Sequence, residues 1–582
     1  MLEQLALKVG GQQGEGIVAV GNTLAVALNR QGYYIYSYRH FSSRIKGGHS
    51  NDNIRISTKP RQAISDYLDI LLAFDQETID FNAHELRSGG VIIADSDKFP
   101  KSQPKVPPEL ENVRLFAVPC SSIAQEAGGA IMKNMVFVGA TAFVLGIDLA
   151  IFTDAITSQF GRKGQKVVDQ NLNAIQKGFI YVQDLAGSTL DMTLAPADGK
   201  RRLLLNGNEA IGLGSLAAGV RIMPAYPITP ASEVMEYLQH RIPKVGGVVL
   251  QTEDEIAALN MCIGASYGGA RVITSTSGPG LSLMMEAIGL SGMTETPVVI
   301  VDAQRGGPST GLPTKNEQSD MYAALFGTHG EIPKIVLAPS TAEECFYTSI
   351  DAFNLADRYQ CPVILMTDLA LSMATQTVPH LNYDAATINR GKIATEEQLA
   401  EVPAGQLFKR YAYEDDGISP RVFPGTKGGL HHVTGVEHNE FGRPDEGAVN
   451  RNSMMQKRLR KLEGVELPGS VAYHGTSGPE LLIIGIGSTQ GVIDEALDRL
   501  QADGHTVAHA QVKVISPFPS ETLSQYISKA KFVVVIENNA TGQLKHIINM
   551  FGIHHEQMTS FLKYDGNPFQ PQEIYDHCKE LV

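Results

Sequence analysis

Three short segments of the chain carry a hydroxyl, a carboxylate and a guanidinium in positions where they could act together. Ala225-Tyr226-Pro227-Ile228-Thr229-Pro230 supplies the first, Val248-Val-Leu-Gln-Thr-Glu253 ends on the second, and Arg305-Gly-Gly-Pro-Ser-Thr-Gly-Leu-Pro-Thr-Lys315 opens on the third. Each follows an apolar run that reads as a strand, and each precedes a helical pattern. Polar groups are thereby placed at strand C-termini, where open α/β sheets bind their ligands. Such a set suits an anionic substrate held beside a cofactor.

Each residue also has a plainer reading. Thr229 followed by Pro230 makes a good helix N-cap with proline at the first helical position; alternatively its hydroxyl faces a bound carboxylate or carbonyl. The two roles are compatible. Glu253 opens the run Glu-Asp-Glu-Ile-Ala-Ala, where acids simply favour the helix macrodipole. The other reading has its carboxylate hydrogen-bonded to a protonated ring nitrogen, as activation of the aminopyrimidine of thiamine diphosphate requires. For Arg305 the surroundings favour anion binding over a solvated cation. Gly306, Gly307, Pro308, Gly311 and Pro313 forbid regular structure there, while Ser309, Thr310 and Thr314 add hydroxyl donors. A guanidinium grips a carboxylate through two parallel hydrogen bonds. Ser277-Gly278-Pro-Gly280 either lets backbone approach a cofactor or is only a tight turn.

Near the N-terminus, Gly10-Gly11-Gln-Gln-Gly14-Glu-Gly16 follows a strand and opens a helix. Its spacing is G-x-x-G-x-G from Gly11, not the dinucleotide fingerprint, and no acid stands between Gln31 and Ser50 to bind an NAD ribose. That stretch instead holds Arg39, His40, Arg44, Lys46 and His49. Phosphate binding and a solvated basic loop remain as its two readings. A thiamine diphosphate site also needs Mg²⁺ on oxygen ligands. The Gly-Asp-Gly…Asn signature for it is nowhere in the chain, which could supply only half of such a site, with no metal ligands of its own.

The elements that position these groups are legible in outline. At 582 residues, with 43% hydrophobic and 19% charged residues, the chain has room for about three domains. Its net charge of −14 argues against a general nucleic-acid or anionic-membrane surface. The five cysteines are scattered, with no C-x-x-C pair, so disulfides, a zinc site and an iron–sulfur cluster built by this chain alone are not expected. Cys262, on an apolar helical pattern, reads as a buried thiol. No signal-peptide pattern opens the sequence, and the apolar stretch from Met135 to Ile147 is too short to span a bilayer and reads as a buried helix. A cytoplasmic protein is expected.

Leu5–Val9, Tyr33–Tyr36, Asn53–Ser57, Ile70–Phe74 and Val91–Ala94 alternate with helical patterns, which predicts a mostly parallel sheet. A linker-like stretch follows from Ala186 to Lys200. Further α/β patterns run from Leu203 to about Val378 and from Glu480 to about Asn549. Residues 380–475 between them are polar, rich in Gly and Pro, and without clear period; irregular segments of that length are usually functional or lie against a neighbour.

Taken in order, Asn206-Gly-Asn-Glu-Ala-Ile, Tyr226-Pro-Ile-Thr-Pro, Gln251-Thr-Glu-Asp-Glu-Ile-Ala-Ala258, Thr276-Ser-Gly-Pro-Gly280 and Gln304-Arg-Gly-Gly-Pro-Ser-Thr-Gly-Leu-Pro-Thr-Lys315 resemble the α subunit of 2-oxoacid:ferredoxin oxidoreductases, closest to 2-oxoglutarate synthase. Asp416-Gly-Ile-Ser-Pro420, Pro424-Gly425 and Glu437-His-Asn-Glu-Phe-Gly442 fit as well, so the resemblance covers almost the whole chain. It implies an α/β fold of three units: a fused γ-type domain over 1–188, a pyrimidine-binding domain of the thiamine-diphosphate type over 200–380, an irregular connection over 381–475, and a transketolase C-terminal-like domain over 476–582.

It also implies a CoA-dependent oxidative decarboxylation of a 2-oxoacid, 2-oxoglutarate to succinyl-CoA first, with electrons leaving through an iron–sulfur cluster to ferredoxin. By carry-over, Glu253 pairs with the aminopyrimidine nitrogen. Arg305 holds the substrate's 1-carboxylate, with Thr229 on the carboxylate or oxyanion, and Thr310 and Thr314 as second candidates. Lys315 is a candidate for a distal carboxylate. Tyr226, Pro227, Ile228 and Gly278 line the thiamine diphosphate, while Gly11, Gly14, Gly16 and Arg44 belong to the coenzyme A region. A separate β subunit would carry Mg²⁺, the diphosphate site and the 4Fe-4S cluster, in an assembly of (αβ)2. The alternatives are specificity for pyruvate or branched-chain 2-oxoacids, a non-catalytic scaffold subunit and, more distantly, a nicotinamide dehydrogenase.

Overall fold

The computed structural model describes residues 1–42, 48–99, 103–110, 112–187, 190 and 192–582. The chain forms two compact units. The first combines Met1–Leu205 with Met373–His380 and Gln570–Ile574, and the second holds the remainder. Most of the stretches expected at 200–380, 381–475 and 476–582 fall in the second unit.

The first unit is built on eight strands: β1 (Gln4–Gln12), β2 (Tyr34–His40), β3 (His49–Ser57), β4 (Leu68–Ala73), β5 (Leu86–Asp95), β6 (Arg114–Val118), β7 (Leu203–Leu205) and, from far along the chain, β14 (Thr375–Val378). Their order is β6-β5-β4-β1-β3-β2-β14-β7. The half from β6 to β1 is parallel, as expected, but the half from β1 to β7 is antiparallel. For β2 and β3 the reason lies in the length of their connection. A parallel crossover needs a dozen or more residues, and the segment between β2 and β3 is shorter than that. The helix Lys133–Val144 is buried from Met135 onward, so the apolar stretch there is core. No helix among the described residues is long and apolar enough to cross a membrane.

In the second unit β8 (Ile222–Ala225) pairs with β9 (Val248–Gln251), both parallel. A five-stranded sheet runs in the order β10 (Ile273–Thr276), β11 (Val298–Gln304), β13 (Pro362–Asp368), β12 (Ile335–Leu337) and β18 (Val514–Ser516). A parallel bridge from Ile222 to Val272 ties the pair to the β10 edge. The C-termini of β8 to β11 therefore share one edge, which is what the site requires. A third sheet, β15 (Val471–Gly475), β17 (Val507–Val512), β16 (Leu481–Ile486), β19 (Phe532–Glu537) and β20 (Met558–Leu562), shares one apolar core with the second through Val298, Ile300, Ile484 and Val535, among others.

The irregular stretch is anchored by buried charge. Asp357 is bridged by Arg271 at 2.9 Å, Arg390 at 3.0 Å and Arg421 at 2.7 Å. Glu295 binds Lys457 at 2.6 Å, with Lys461 beside it, and Arg410 donates to its backbone carbonyl at 2.8 Å. Glu295 has φ 51°, a left-handed backbone just past the helix Gly278–Met293, where glycine is the usual residue. Its side chain explains the exception, because only a carboxylate answers the cations around it.

Candidate active site

β8 ends at Ala225, leaving Tyr226 exposed and Pro227, Ile228 and Thr229 half-buried. The following helix is Ser232–Gln239, with Ala231 at its N-cap and no side-chain cap. The capping role expected of Thr229 is therefore not met, because the helix begins three residues further on. Instead the Thr229 carbonyl accepts a 2.6 Å hydrogen bond from Arg305 Nη1. The neighbouring Pro230 carbonyl is fixed by Asn208 Nδ2 at 2.8 Å.

β9 stops at Gln251, and Glu253 lies two residues past it, exposed. The helix-start chemistry belongs to Asp254, whose carboxylate accepts from the Ala257 N–H at 2.7 Å. Glu253 makes no hydrogen bond or ion pair among the described residues, so its carboxylate stands free at the mouth of the strand ends. Tyr226, Leu250, Ile256 and Leu312, large apolar side chains on the same strand-end edge, are also exposed.

Arg305 directly follows β11 and is only 7% exposed. Burial pulls its pKa down and the charge of Asp320 pulls it back up. Nη1 is committed to Thr229, while Nε is buried with no hydrogen-bond partner. The structure thus joins Thr229 to Arg305, whereas no hydrogen bond links Glu253 to either. The loop beyond closes on itself: the Gly306 N–H donates to the Lys315 carbonyl at 3.0 Å and the Leu312 N–H to Gly306 at 2.8 Å. Thr310 is exposed on it and Thr314 is buried. Lys315 rests on Gly566, where an added Cβ would lie 2.8 Å from its own Cβ, and the Asn316 N–H donates to the Gly566 carbonyl at 3.0 Å. The loop is seated on the C-terminal stretch, which the resemblance likens to a transketolase C-terminal domain.

Behind Arg305 lie two carboxylates that sequence reasoning passed over. Asp302, on β11, is fully buried with both oxygens unbonded, and Asp320 Oδ2, Ser277 Oγ and Arg305 Nε are likewise buried without hydrogen bonds. A Cβ on Gly278 would lie 2.8 Å from both Asp320 oxygens, so glycine there lets the helix start approach that carboxylate. The signal was present: Asp302 is the one charge in the apolar run Val298–Ala303.

In the first unit a cavity of about 350 Å³ is lined by Gly14, Gly16, Val18, Arg39, Phe41 and Asp52, among others. Gly14 and Gly16 have φ 95° and 94°, and a side chain at Gly16 would strike Asn134. Gly11 does not line the cavity; an added Cβ would lie 2.7 Å from Phe74, so it serves core packing. Arg44 lies outside the described residues. Asp52 is fully buried, and burial pushes its pKa up to about 6 against the pull of Arg39 and a 2.6 Å bond from Ser37.

Family models match nearly the whole chain: pyruvate ferredoxin/flavodoxin oxidoreductase over residues 6–181, the thiamine-diphosphate-binding part of pyruvate flavodoxin/ferredoxin oxidoreductase over 213–457, and core domain II of pyruvate:ferredoxin oxidoreductase over 479–574. The chain is 34% identical to the 2-oxoacid:ferredoxin oxidoreductase subunit alpha of a Sulfolobus species, covering 100% of this chain and 97% of that one. It belongs to the 2-oxoacid:ferredoxin oxidoreductase α-subunit family. The α-subunit relatives include the 2-oxoglutarate oxidoreductase subunit KorA of Mycobacterium tuberculosis, 31% identical over 98% of this chain and 91% of that one. A solved 2-oxoglutarate:ferredoxin oxidoreductase from Magnetococcus marinus, with 2-oxoglutarate, coenzyme A and succinyl-CoA bound, is 36% identical over the full length of both chains with a TM-score of 0.90. This α subunit is thus part of an oxidoreductase with the expected α/β fold, and the nicotinamide dehydrogenase reading falls.

Proposed function

We propose that this α subunit, joined to a β subunit, carries out CoA-dependent oxidative decarboxylation of a 2-oxoacid, with 2-oxoglutarate as the substrate and succinyl-CoA as the product. The observation that carries the reading is the buried Arg305 guanidinium, fixed by Thr229 at one nitrogen and unbonded at another. Its free N–H groups would take the substrate's 1-carboxylate, while the Thr229 hydroxyl, or those of Thr310 and Thr314, would face the neighbouring oxygen. Lys315 would meet the distal carboxylate.

The residues fit half of a thiamine diphosphate site. Glu253 presents an unbonded carboxylate at a strand-end edge, and Tyr226, Leu250 and Ile256 leave apolar surface beside it. When bound, the cofactor supplies a carbon nucleophile that adds to the oxo carbon and lets the carboxyl group leave as CO₂. Glu253 would hold a proton at the aminopyrimidine nitrogen. Tyr226, Pro227, Ile228 and Gly278 would border the ring, and the partner would exclude water by covering the edge. Mg²⁺, the diphosphate and a 4Fe-4S cluster are assigned to that β subunit, which passes electrons to ferredoxin in an (αβ)2 assembly. The first-unit cavity with Gly14, Gly16 and Arg39, and Arg44 in the adjoining sequence, is proposed for coenzyme A, with phosphate drawn to the helix start and guanidinium groups.

The test is purification of the chain with its native partner under anaerobic conditions, followed by CoA-dependent viologen reduction across a panel of 2-oxoacids. Reduction with 2-oxoglutarate is expected. Activity confined to pyruvate or branched-chain acids would overturn the substrate, and a stable complex without activity after added thiamine diphosphate would favour a scaffold.

A further inference from the structure

Asp302 and Asp320 have no part in the reading above. Asp302 extends the face of β11 that gives Val298 and Ile300 to the core. It is 0% exposed and neither oxygen accepts a hydrogen bond. Asp320 is held from β11 through its N–H, which donates to Gln304 Oε1 at 3.0 Å, and its carboxylate lies over Gly278 at the start of the next helix. Neither aspartate has an ion-pair partner among the described residues. Two carboxylates so placed cannot both stay charged, since each has lost its water and the like charge of the other opposes ionisation.

We infer that Asp302 stays protonated, and that gain or loss of a proton at Asp320 tunes the grip of Arg305 on a substrate carboxylate. Asp320 is a positioning residue in this scheme, acting through Arg305, and the inference rests on the role proposed for that arginine. The electrostatics agree with the geometry. Burial pushes Asp302 well above the usual carboxylate range, with Asp320 adding to the rise. Burial likewise lifts Asp320 to about 7, with Glu317 adding and Arg305 opposing. Around the pair, Glu317 lies in the loop, Glu255 beside Gly280 at the helix start, and Asp368 and Glu537 are reached through Gln318 and Asn539. Of the charged groups named, only Arg305 is positive, so the surroundings favour keeping the proton.

The consequence is directional. With Asp320 protonated, Arg305 carries uncompensated charge and binds an anion best. Once Asp320 ionises, it offsets that charge and repels the incoming carboxylate. In the complete complex, KM for the oxoacid should rise roughly tenfold between about pH 6 and about pH 8.5, with kcat moving less. Asp320→Asn should flatten that rise. A wild-type KM that does not change with pH, or an Asp320→Asn complex that follows the wild-type slope, overturns the inference.

Infrared difference spectra give a second readout if the variant folds poorly. The wild-type complex at neutral pH should show a protonated-carboxyl stretch that Asp302→Asn removes, and its absence from the wild type also overturns the inference. Arg305→Gln separates this from the underlying reading. Normal turnover in Arg305→Gln would sink both, whereas an inactive Arg305→Gln beside an unchanged slope in Asp320→Asn sinks the role of the Asp320 proton alone.

Discussion

Arg305 and Glu253 make opposite demands on their surroundings, and their predictions differ accordingly. Arg305 is buried and pre-aimed by Thr229, so its donors cost little reorganisation when charge develops. Arg305→Ala should lower kcat/KM at least about a hundredfold in the complete complex, with the circular dichroism spectrum retained; wild-type kinetics would remove it from anion binding. Glu253 is exposed in the single chain and gains its environment only from a partner and cofactor. Glu253→Gln should leave thiamine diphosphate bound while hydrogen–deuterium exchange at its C2 position slows, and normal exchange would count against the role. The placement of both at strand ends was legible in the sequence, because each follows an apolar run and stands beside turn-forming residues. The 2.6 Å contact joining Arg305 to Thr229 was not, since it spans two strands and depends on sheet order. Asp302 and Asp320 were missed because burial, rather than residue type or spacing, makes them unusual.

At the scale of elements, many strands of the second unit were readable as apolar runs bounded by Gly, Pro and polar turns, but β15 fell within the stretch read as irregular and β20 beyond the last pattern read. The antiparallel half of the first sheet was not, because alternation reports that strands exist and says little about their direction. The irregular stretch was readable only as irregular; its anchor is long-range charge. Burial raises the Glu295 pKa, but Lys457, Lys461 and Arg410 outweigh it and hold the carboxyl below the usual range. The same burial pulls both lysines down. The intact cluster therefore adds little net stability, while breaking it leaves buried charge unpaired. Glu295→Gln should destabilise the fold by about 3–5 kcal/mol in thermal unfolding. Glu295→Gly, although it relieves the left-handed backbone, should be destabilising too. A stabilised glycine variant would show that backbone strain dominates. Because the folded pKa is depressed, the carboxylate's stabilising contribution is complete above its unfolded pKa. It is lost as pH falls through the folded value.

Across the whole molecule, the C-terminal stretch is bound into the second unit twice, by β18 on the edge of β12 and by a common apolar core. Truncation after Gly469 would uncover both, and the product should be insoluble or lose cooperative melting. A soluble fragment with a sharp transition would show that the second unit folds without it.

The late strand β14 has a consequence for how this protein is made. It sits between β2 and β7 in the first sheet, yet it is encoded after β8 to β13. On the ribosome, a nascent chain that has released Leu205 has made both β2 and β7 but not the strand that joins them. That seam stays open until Val378 emerges. During synthesis the first unit must tolerate two bare strand edges while the residues of the next sheet pass through the exit tunnel. A chaperone or protease meeting the chain in that interval would find its opening there.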